Sequence, residues 1–473
     1  MSRFYVTTPI YYVNDKPHLG HAYTTLCADV LARWHKARGD EVFFLTGTDE
    51  HGAKVQQSAE AAGMKPLEFA TQNAERFKAT WKNLGIECDY FIRTSDARHE
   101  AVVRELLQKV YEAGYIYAGE YEGQYCVGCE KFLQEGDLVN GRCPLHPNQE
   151  PVKQKEKNYF FKLSSFRDKL LKAIETKEYT IVPEGRKNEV VGKLKQGLDD
   201  ISISRQSVEW GVRVPWDEEQ TVYVWIDALI NYYSATQFEA KGKGFWPAQV
   251  HLLAKDILWF HAVIWEALLM AAGLDLPKVI ATHGFFTIDG QKMSKSLGNV
   301  IDPNDLVKEF GVDATRYLLM SQLPFATDGD VSLARFKERY NSDLANGLGN
   351  TFSRLTNMAE KYGSDVQGEA LRDLASNVQK EIEKFSFDGA LAEIVGALRE
   401  IDRQIDISKP WIMATGDKAS EVPHLVGNWV IGLRQVAAQL EPFMPETSQK
   451  ITQALAVDHI IKAEPLFPRL SLN

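Results

Sequence analysis

Glu41 to Thr46 read Glu-Val-Phe-Phe-Leu-Thr, a near-continuous apolar run of the kind found in strands buried on both faces. A strand with no polar face needs a sheet covered by helices. The flanking sequence provides for this. Phe4 to Ile10 is a second β-rich run, followed by the turn Asn14-Asp15-Lys16-Pro17 and a helical stretch carrying Leu19, Tyr23, Leu26, Val30 and Trp34. Helical segments reach about Leu84, a short strand is expected at Tyr90-Phe91-Ile92, and a further helix runs through Tyr111. This alternation predicts a parallel α/β sheet over residues 1–114.

From Tyr115 to Trp210 the chain turns rich in Lys, Glu and Gly and carries a cysteine cluster, so residues 115–210 read as an insertion. The α/β pattern then resumes over 211–285. Thr221–Ala228, Val250–Ala254 and Val279–Thr282 are expected strands, and Asp256–Ala272 a helix. Residues 286–331 form a loop and linking helices. Beyond Ser332, the positions Leu333, Phe336, Tyr340, Leu344, Leu348, Phe352, Leu355, Met358 and Tyr362 recur at about 3.6 residues, the α-helical period. Breaks at Gly363, Gly416 and Pro442 make 332–473 a helix bundle.

A chain of 473 residues with 44% hydrophobic and 25% charged residues is ordinary for globular proteins and excludes disorder, collagen-like repeats and a disulfide scaffold. No uncharged apolar run approaches the ~20 residues of a membrane helix, and the first residues enter a strand pattern with no signal peptide. A cytoplasmic protein with no membrane partner is expected. The net charge of −10 argues against indiscriminate nucleic-acid binding, while leaving room for a local basic surface.

Two segments carry phosphate chemistry. His18-Leu19-Gly20-His21 falls after the first strand and opens a helix, where unpaired N–H groups and positive potential suit a phosphate. Gly20 lets a flat base approach the backbone. His18 and His21 are three apart on one helix face and can donate to an α-phosphate whose charge grows in a transition state. Lys292-Met293-Ser294-Lys295-Ser296 lies in a loop before the helix that starts near Asp302-Pro303, a cap and first-turn pair. Its two lysines can clamp a polyphosphate as a loop closes.

Together these segments resemble the paired ATP motifs of class I aminoacyl-tRNA synthetases, with Leu19 in place of the usual Ile. Thr7 to Asn14, Gly47-Thr48-Asp49-Glu50-His51-Gly52, Tyr223 to Ala228 and Ala281-Thr282-His283-Gly284 resemble the methionyl-tRNA synthetase family, and the likeness runs over essentially the whole chain. It implies a Rossmann-like catalytic domain. In it, His18, Gly20, His21, Lys292, Ser294 and Lys295 would bind ATP, with His18, His21, Lys292 and Lys295 catalytic. Asp49 would receive the α-amino group of methionine. Ile10, Tyr12, Trp225, Ala228, Tyr232 and His283 would line the side-chain pocket, whose aromatic walls suit a polarizable thioether. Some members carry Pro where this chain has Leu229.

Cys126-Val-Gly-Cys129 and Cys143-Pro-Leu-His146 form two ligand pairs, each with two intervening residues. Three thiolates and one imidazole are a structural zinc set with no open coordination position. The one-knuckle members of the family resemble this arrangement. In the helical third, Asn350 and Arg354 are one turn apart on one face, and Trp411 follows Pro410. Exposed bases are read by stacking and by hydrogen bonds to their edges, and the family resemblance assigns these three positions to the anticodon.

The expected function is activation of L-methionine by magnesium ATP, then transfer to the terminal adenosine of tRNA(Met), initiator tRNA included, by a monomer holding one structural zinc. Another class I synthetase is disfavoured. The Tyr115–Trp210 insertion is too short for the editing domain of the isoleucine, valine and leucine enzymes, and the cysteine enzyme keeps zinc at its substrate. A ligase-type adenylate former without tRNA would not need the helix bundle. A non-catalytic tRNA-binding paralogue would not need intact His18, His21, Lys292 and Lys295.

Overall fold

The structure, a computed structural model, describes residues 2–14, 16–126, 131–133, 136, 138–144, 147–288, 290–292, 300–366 and 371–471. The chain divides into two compact units. The first comprises Met1–Pro17, Gly39–Thr80 and Glu87–Thr282; the second comprises His18–Arg38, Trp81–Ile86 and His283–Asn473.

The first unit is built on a six-stranded sheet of β1 (Arg3–Tyr12), β2 (Glu41–Asp49), β3 (Tyr90–Arg93), β4 (Thr180–Val182), β5 (Val250–Ala254) and β6 (Val279–His283), in the order β3-β2-β1-β5-β6-β4. The pairings β1–β2, β2–β3, β1–β5 and β6–β4 are parallel. The apolar run at Glu41 is the core of β2, where every residue from Val42 to Asp49 is buried. Gly47 is obligatory there. A Cβ would lie 2.1 Å from the Ile92 carbonyl oxygen, so only a bare α-carbon lets β2 and β3 approach.

One expected strand is a helix instead. Strand structure ends at Val222, and Val224–Phe238 is helical. Tyr-Val-Trp-Ile favours a strand locally, but this helix is buried from Ile226 to Tyr232 without interruption. A helix buried all round has no polar face and so no 3.6-residue pattern to reveal it. The helix expected over Asp256–Ala272 holds a π-helical stretch at Phe260–Trp265 before its α-helical end, Glu266–Ala272.

Within 115–210, Ile116–Cys126 and Val152–Phe161 form a long antiparallel ladder from Ile116–Phe161 to Tyr125–Val152, flanked by Lys131–Leu133 and Ile201–Ser202. The short strand β4 comes from the same stretch yet pairs with β6 on the main sheet.

The second unit is largely helical. After a small sheet of Phe286–Ile288, Gln291–Lys292 and Gly329–Val331, the helix Pro303–Phe310 starts where expected, with Asp302 accepting from the Asn304 N–H at 2.9 Å. The periodic run from Leu333 is α-helical at Leu333–Arg339 and Asn350–Tyr362, but π-helical between, at Tyr340–Gly349. Spacings of four at Tyr340, Leu344 and Leu348 keep all three buried on that wider turn. Helices Leu374–Glu383, Phe387–Ser408, Val422–Leu440 and Pro445–Leu455 complete the bundle.

Arg316 joins the three segments of this unit. Its guanidinium is fully buried and donates to Asp29 (2.7 Å), the Leu84 carbonyl (3.2 Å), and the Pro442 and Phe443 carbonyls (2.9 and 2.8 Å). Among the described residues no helix is long and apolar enough to cross a membrane.

Candidate functional site

In the second unit, His18 caps the helix Leu19–Ala37, its Nδ1 accepting from the Gly20 N–H at 3.1 Å. Reciprocally, the His18 N–H donates to His21 Nδ1 at 3.4 Å. This is a capping box with imidazoles in place of the usual hydroxyl and carboxylate. Because both Nδ1 atoms accept, each neutral ring carries its proton on Nε2. The rings stack with centroids 3.6 Å apart. Loss of hydration, then the neighbouring His18, hold the His21 pKa well below that of an ordinary imidazole, which keeps the ring neutral at physiological pH. Gly20 has a second duty that the sequence does not announce: a Cβ would lie 3.0 Å from His18 Cε1 and 3.2 Å from its Nδ1.

His283, the last residue of β6, is counted with this second unit. Its Nδ1 donates to the Gly284 carbonyl (2.7 Å), which leaves Nε2 to accept from Thr24 Oγ1 (2.6 Å). Tyr23 packs edge-on against its ring at 5.1 Å. Burial lowers its pKa to about 4. Of the lysine-rich loop, the Lys292 backbone pairs with Thr287, and Ser294 and Lys295 lie outside the described residues. Asp330, which sequence reasoning missed, anchors the hairpin before this loop by accepting from the Gly290 N–H (2.7 Å) and Thr287 Oγ1 (3.0 Å).

The first unit gathers a cluster of aromatic side chains. Tyr12 lies at the end of β1, registered with Asp49 at the end of β2. Trp225, Ala228 and Tyr232 recur at three and four residues on the Val224–Phe238 helix and so share a face. The Tyr12 and Trp225 rings meet edge to face at 6.2 Å. Ile10 is half-buried and packs on the core that contains Tyr232. Asp49 is buried, and its charge acts on Tyr232, whose pKa is raised chiefly by burial.

Behind these residues stands a layer with no sequence signal. Phe260 stacks on Trp225 at 3.9 Å. The Tyr232 hydroxyl meets His261 Nε2 at 2.7 Å, while His261 Nδ1 faces the Ile257 carbonyl at 2.9 Å. The carbonyl can only accept, so Nδ1 carries the proton and the hydroxyl donates to Nε2. His251 is likewise fixed: Trp265 Nε1 donates to its Nε2 (3.3 Å), so its Nδ1 donates to Thr7 Oγ1 (2.6 Å). Burial brings His261 down to about 4, and burial followed by His261 lowers His251. Phe260, His261 and Trp265 all lie on the π-helical stretch.

Cys126, at the end of its strand, and Cys143 are each 2% exposed and pack with Leu133 in one small cluster. Cys129 and His146 lie outside the described residues, and among those described no three potential ligands converge. Two buried cysteines brought into one cluster fit half of a thiolate-rich zinc set. In the bundle, Asn350 is exposed at the start of its helix. Arg354, one turn on, bonds to Asp402 (3.3 Å) and Asp406 (2.8 Å). Trp411 is 45% exposed, with Ile407 and Ile412 exposed beside it in sequence.

Residues 4–150 and 136–356 match the family model described as class I tRNA synthetases (M). The methionine–tRNA ligase of Caldanaerobacter subterraneus subsp. tengcongensis is 45% identical over 96% of this chain and 74% of its own length. That of Streptomyces coelicolor is 42% identical over 96% of this chain and 90% of its own. A solved Mycobacterium tuberculosis methionyl-tRNA synthetase, in complex with methionyl-adenylate, superposes with a TM-score of 0.90 at 35% identity, covering 100% of this chain and 99% of that one. With the parallel sheet, the histidine-capped helix and near-complete coverage in agreement, the chain belongs to the methionyl-tRNA synthetases, class I enzymes that act as methionine–tRNA ligases.

Proposed function

We propose that the imidazoles of His18 and His21 donate their Nε2 protons to the α-phosphate of ATP as the methionine carboxylate attacks it. The observation that carries this reading is the reciprocal cap: both Nδ1 atoms accept from backbone N–H groups, so the donor on each ring is fixed at Nε2. Donors fixed beforehand need no reorganisation as charge develops. The carboxylate oxygen forms a bond to the α-phosphorus, the bond to the bridging oxygen breaks, and pyrophosphate leaves with magnesium, which enters with ATP. Lys292, Ser294 and Lys295 hold the departing phosphates, and Gly20 keeps the backbone open to the adenine. A hydroxyl of the terminal tRNA adenosine then attacks the methionyl carbonyl, and AMP departs.

Asp49 accepts the α-ammonium group of methionine, and Ile10, Tyr12, Trp225, Ala228, Tyr232 and His283 enclose the thioether. Neutral, hydrogen-bonded histidines and an un-ionised Tyr232 suit an apolar, polarizable sulfur. Cys126, Cys129, Cys143 and His146 hold one structural zinc, whose binding is coupled to folding of the insertion. Asn350, Arg354 and Trp411 read the anticodon of tRNA(Met), initiator tRNA included. The enzyme works as a cytoplasmic monomer.

ATP–pyrophosphate exchange with each of the twenty amino acids tests the central reading. Exchange should depend on methionine and be far weaker with leucine, isoleucine, valine or cysteine. Comparable exchange with isoleucine or cysteine would overturn it.

A further inference from the structure

Asp227 lies on the helix that carries Trp225 and Ala228 but turns away from them into the interior, where it is 1% exposed. Its Oδ2 meets His51 Nδ1 at 2.8 Å and its Oδ1 meets His99 Nε2 at 2.9 Å. His99 Nδ1 returns to Ser234 Oγ on the same helix at 2.7 Å, and both histidines are buried. His51 is two residues beyond Asp49. Glu50, between them, is also held: its carboxylate accepts from Thr48 Oγ1 (2.7 Å), Arg93 (2.7 and 2.9 Å) and Ser95 Oγ (2.5 Å), and its carbonyl from Trp210 Nε1 (2.6 Å). The segment that presents Asp49 is thus fastened on both sides, and His51 with Asp227 ties it directly to the helix that carries Trp225.

We infer that Asp227 is a positioning residue for methionine recognition, locking the Asp49 segment to the Trp225–Tyr232 helix face so that the ammonium acceptor and the thioether walls keep a fixed separation. The inference rests on the proposed role of Asp49. Electrostatics agree with the geometry. Burial alone would raise the pKa of Asp227, but His51, then His99, overcome this and hold it at about 2. Burial likewise opposes charge on His51, yet Asp227, Glu100 (3.7 Å from Nε2) and Glu50 raise its pKa overall.

The test uses the full-length enzyme in ATP–pyrophosphate exchange, with 4-(methylthio)butanoate, methionine without its amino group, as competing inhibitor. Asp227→Asn should raise the KM for methionine about tenfold, the scale of one hydrogen bond to a charged group, with kcat nearly unchanged and the inhibitor's binding unaltered. Combining it with Asp49→Asn should cost less than the two single losses added. Equal losses for methionine and inhibitor, or strict additivity, would overturn the positioning role. If Asp49→Asn alone fails to weaken methionine more than the inhibitor, the Asp49 assignment falls instead. Should Asp227→Asn not fold, His51 supplies the answer: His51→Asn keeps a donor toward Asp227 and should retain methionine affinity, whereas His51→Leu should lose it. Equal behaviour of the two His51 variants would also overturn the inference.

Discussion

His18 and His21 stack with ring centroids 3.6 Å apart, and each uses Nδ1 to accept a backbone N–H of the other's turn. Protonating His21 would place a hydrogen where the His18 N–H already points, beside a second imidazole. The lowered pKa of His21 is the electrostatic expression of that geometry. The working form is therefore neutral and present above the lowered pKa. The pH profile of exchange should stay flat through 6.5 and fall only on the acid side, as His21 takes up a proton. A loss of activity on raising the pH through 6.5, as cationic histidines would give, would refute this arrangement.

Gly20→Ala separates catalysis from stability. Losing the His18 cap costs about 1 kcal/mol, but Ala is favoured over Gly within a helix by about 0.8–1 kcal/mol. The two nearly cancel, so Tm should barely move. The new Cβ would sit 3.0 Å from the His18 ring and must displace it. Exchange should fall on the order of a hundredfold, the scale of one lost oxyanion donor. Unchanged exchange would show that the position of the His18 ring does not matter.

Arg316 gives a sharper stability test. Its guanidinium meets one carboxylate and carbonyls from two further segments, all without solvent. A lysine keeps the charge but cannot reach that planar set of acceptors. Arg316→Lys should destabilise the second unit by about 2–3 kcal/mol, the scale of buried carbonyls losing a charged donor, read from denaturant unfolding. An unfolding free energy within a few tenths of a kcal/mol of wild type would mean that these acceptors find other donors.

What the sequence revealed follows how far each signal reaches along the chain. The run at Glu41–Thr46 was legible because burial on both faces is written into consecutive residues. The histidine motif was legible because a cap is local, though the role of Gly20 as clearance for the His18 ring needed coordinates. The Val224–Phe238 helix was misread because burial on all sides erased its period, leaving strand-like local preferences. Phe260 and His261 were invisible for a different reason: their partners Trp225 and Tyr232 stand some thirty residues earlier in the sequence, and no short pattern encodes such a contact.

The cysteine pairs predict one zinc per chain in protein purified without added metal. Cys143→Ala should lose that zinc and loosen the insertion, seen as faster amide exchange on the Ile116–Cys126 and Val152–Phe161 strands, because metal affinity and local folding are one equilibrium there. Fully active protein free of metal would refute a structural ion.

Trp411 should uncouple the two ends of the reaction. It is 45% exposed on the first turn of the short helix Pro410–Met413, so a large part of the indole is open to a base. Removing an aromatic that stacks on a base costs about 1–3 kcal/mol, or roughly 5- to 150-fold in binding. Trp411→Ala should weaken charging of tRNA by that order while ATP–pyrophosphate exchange with methionine stays near wild type and Tm holds. Charging of an anticodon-altered tRNA makes the comparison specific, since the mutant should discriminate against it less than wild type does. If the mutant rejects the altered tRNA as strongly as the parent, the indole makes no anticodon contact, and base recognition must rest on Asn350, Arg354 or residues elsewhere in the bundle.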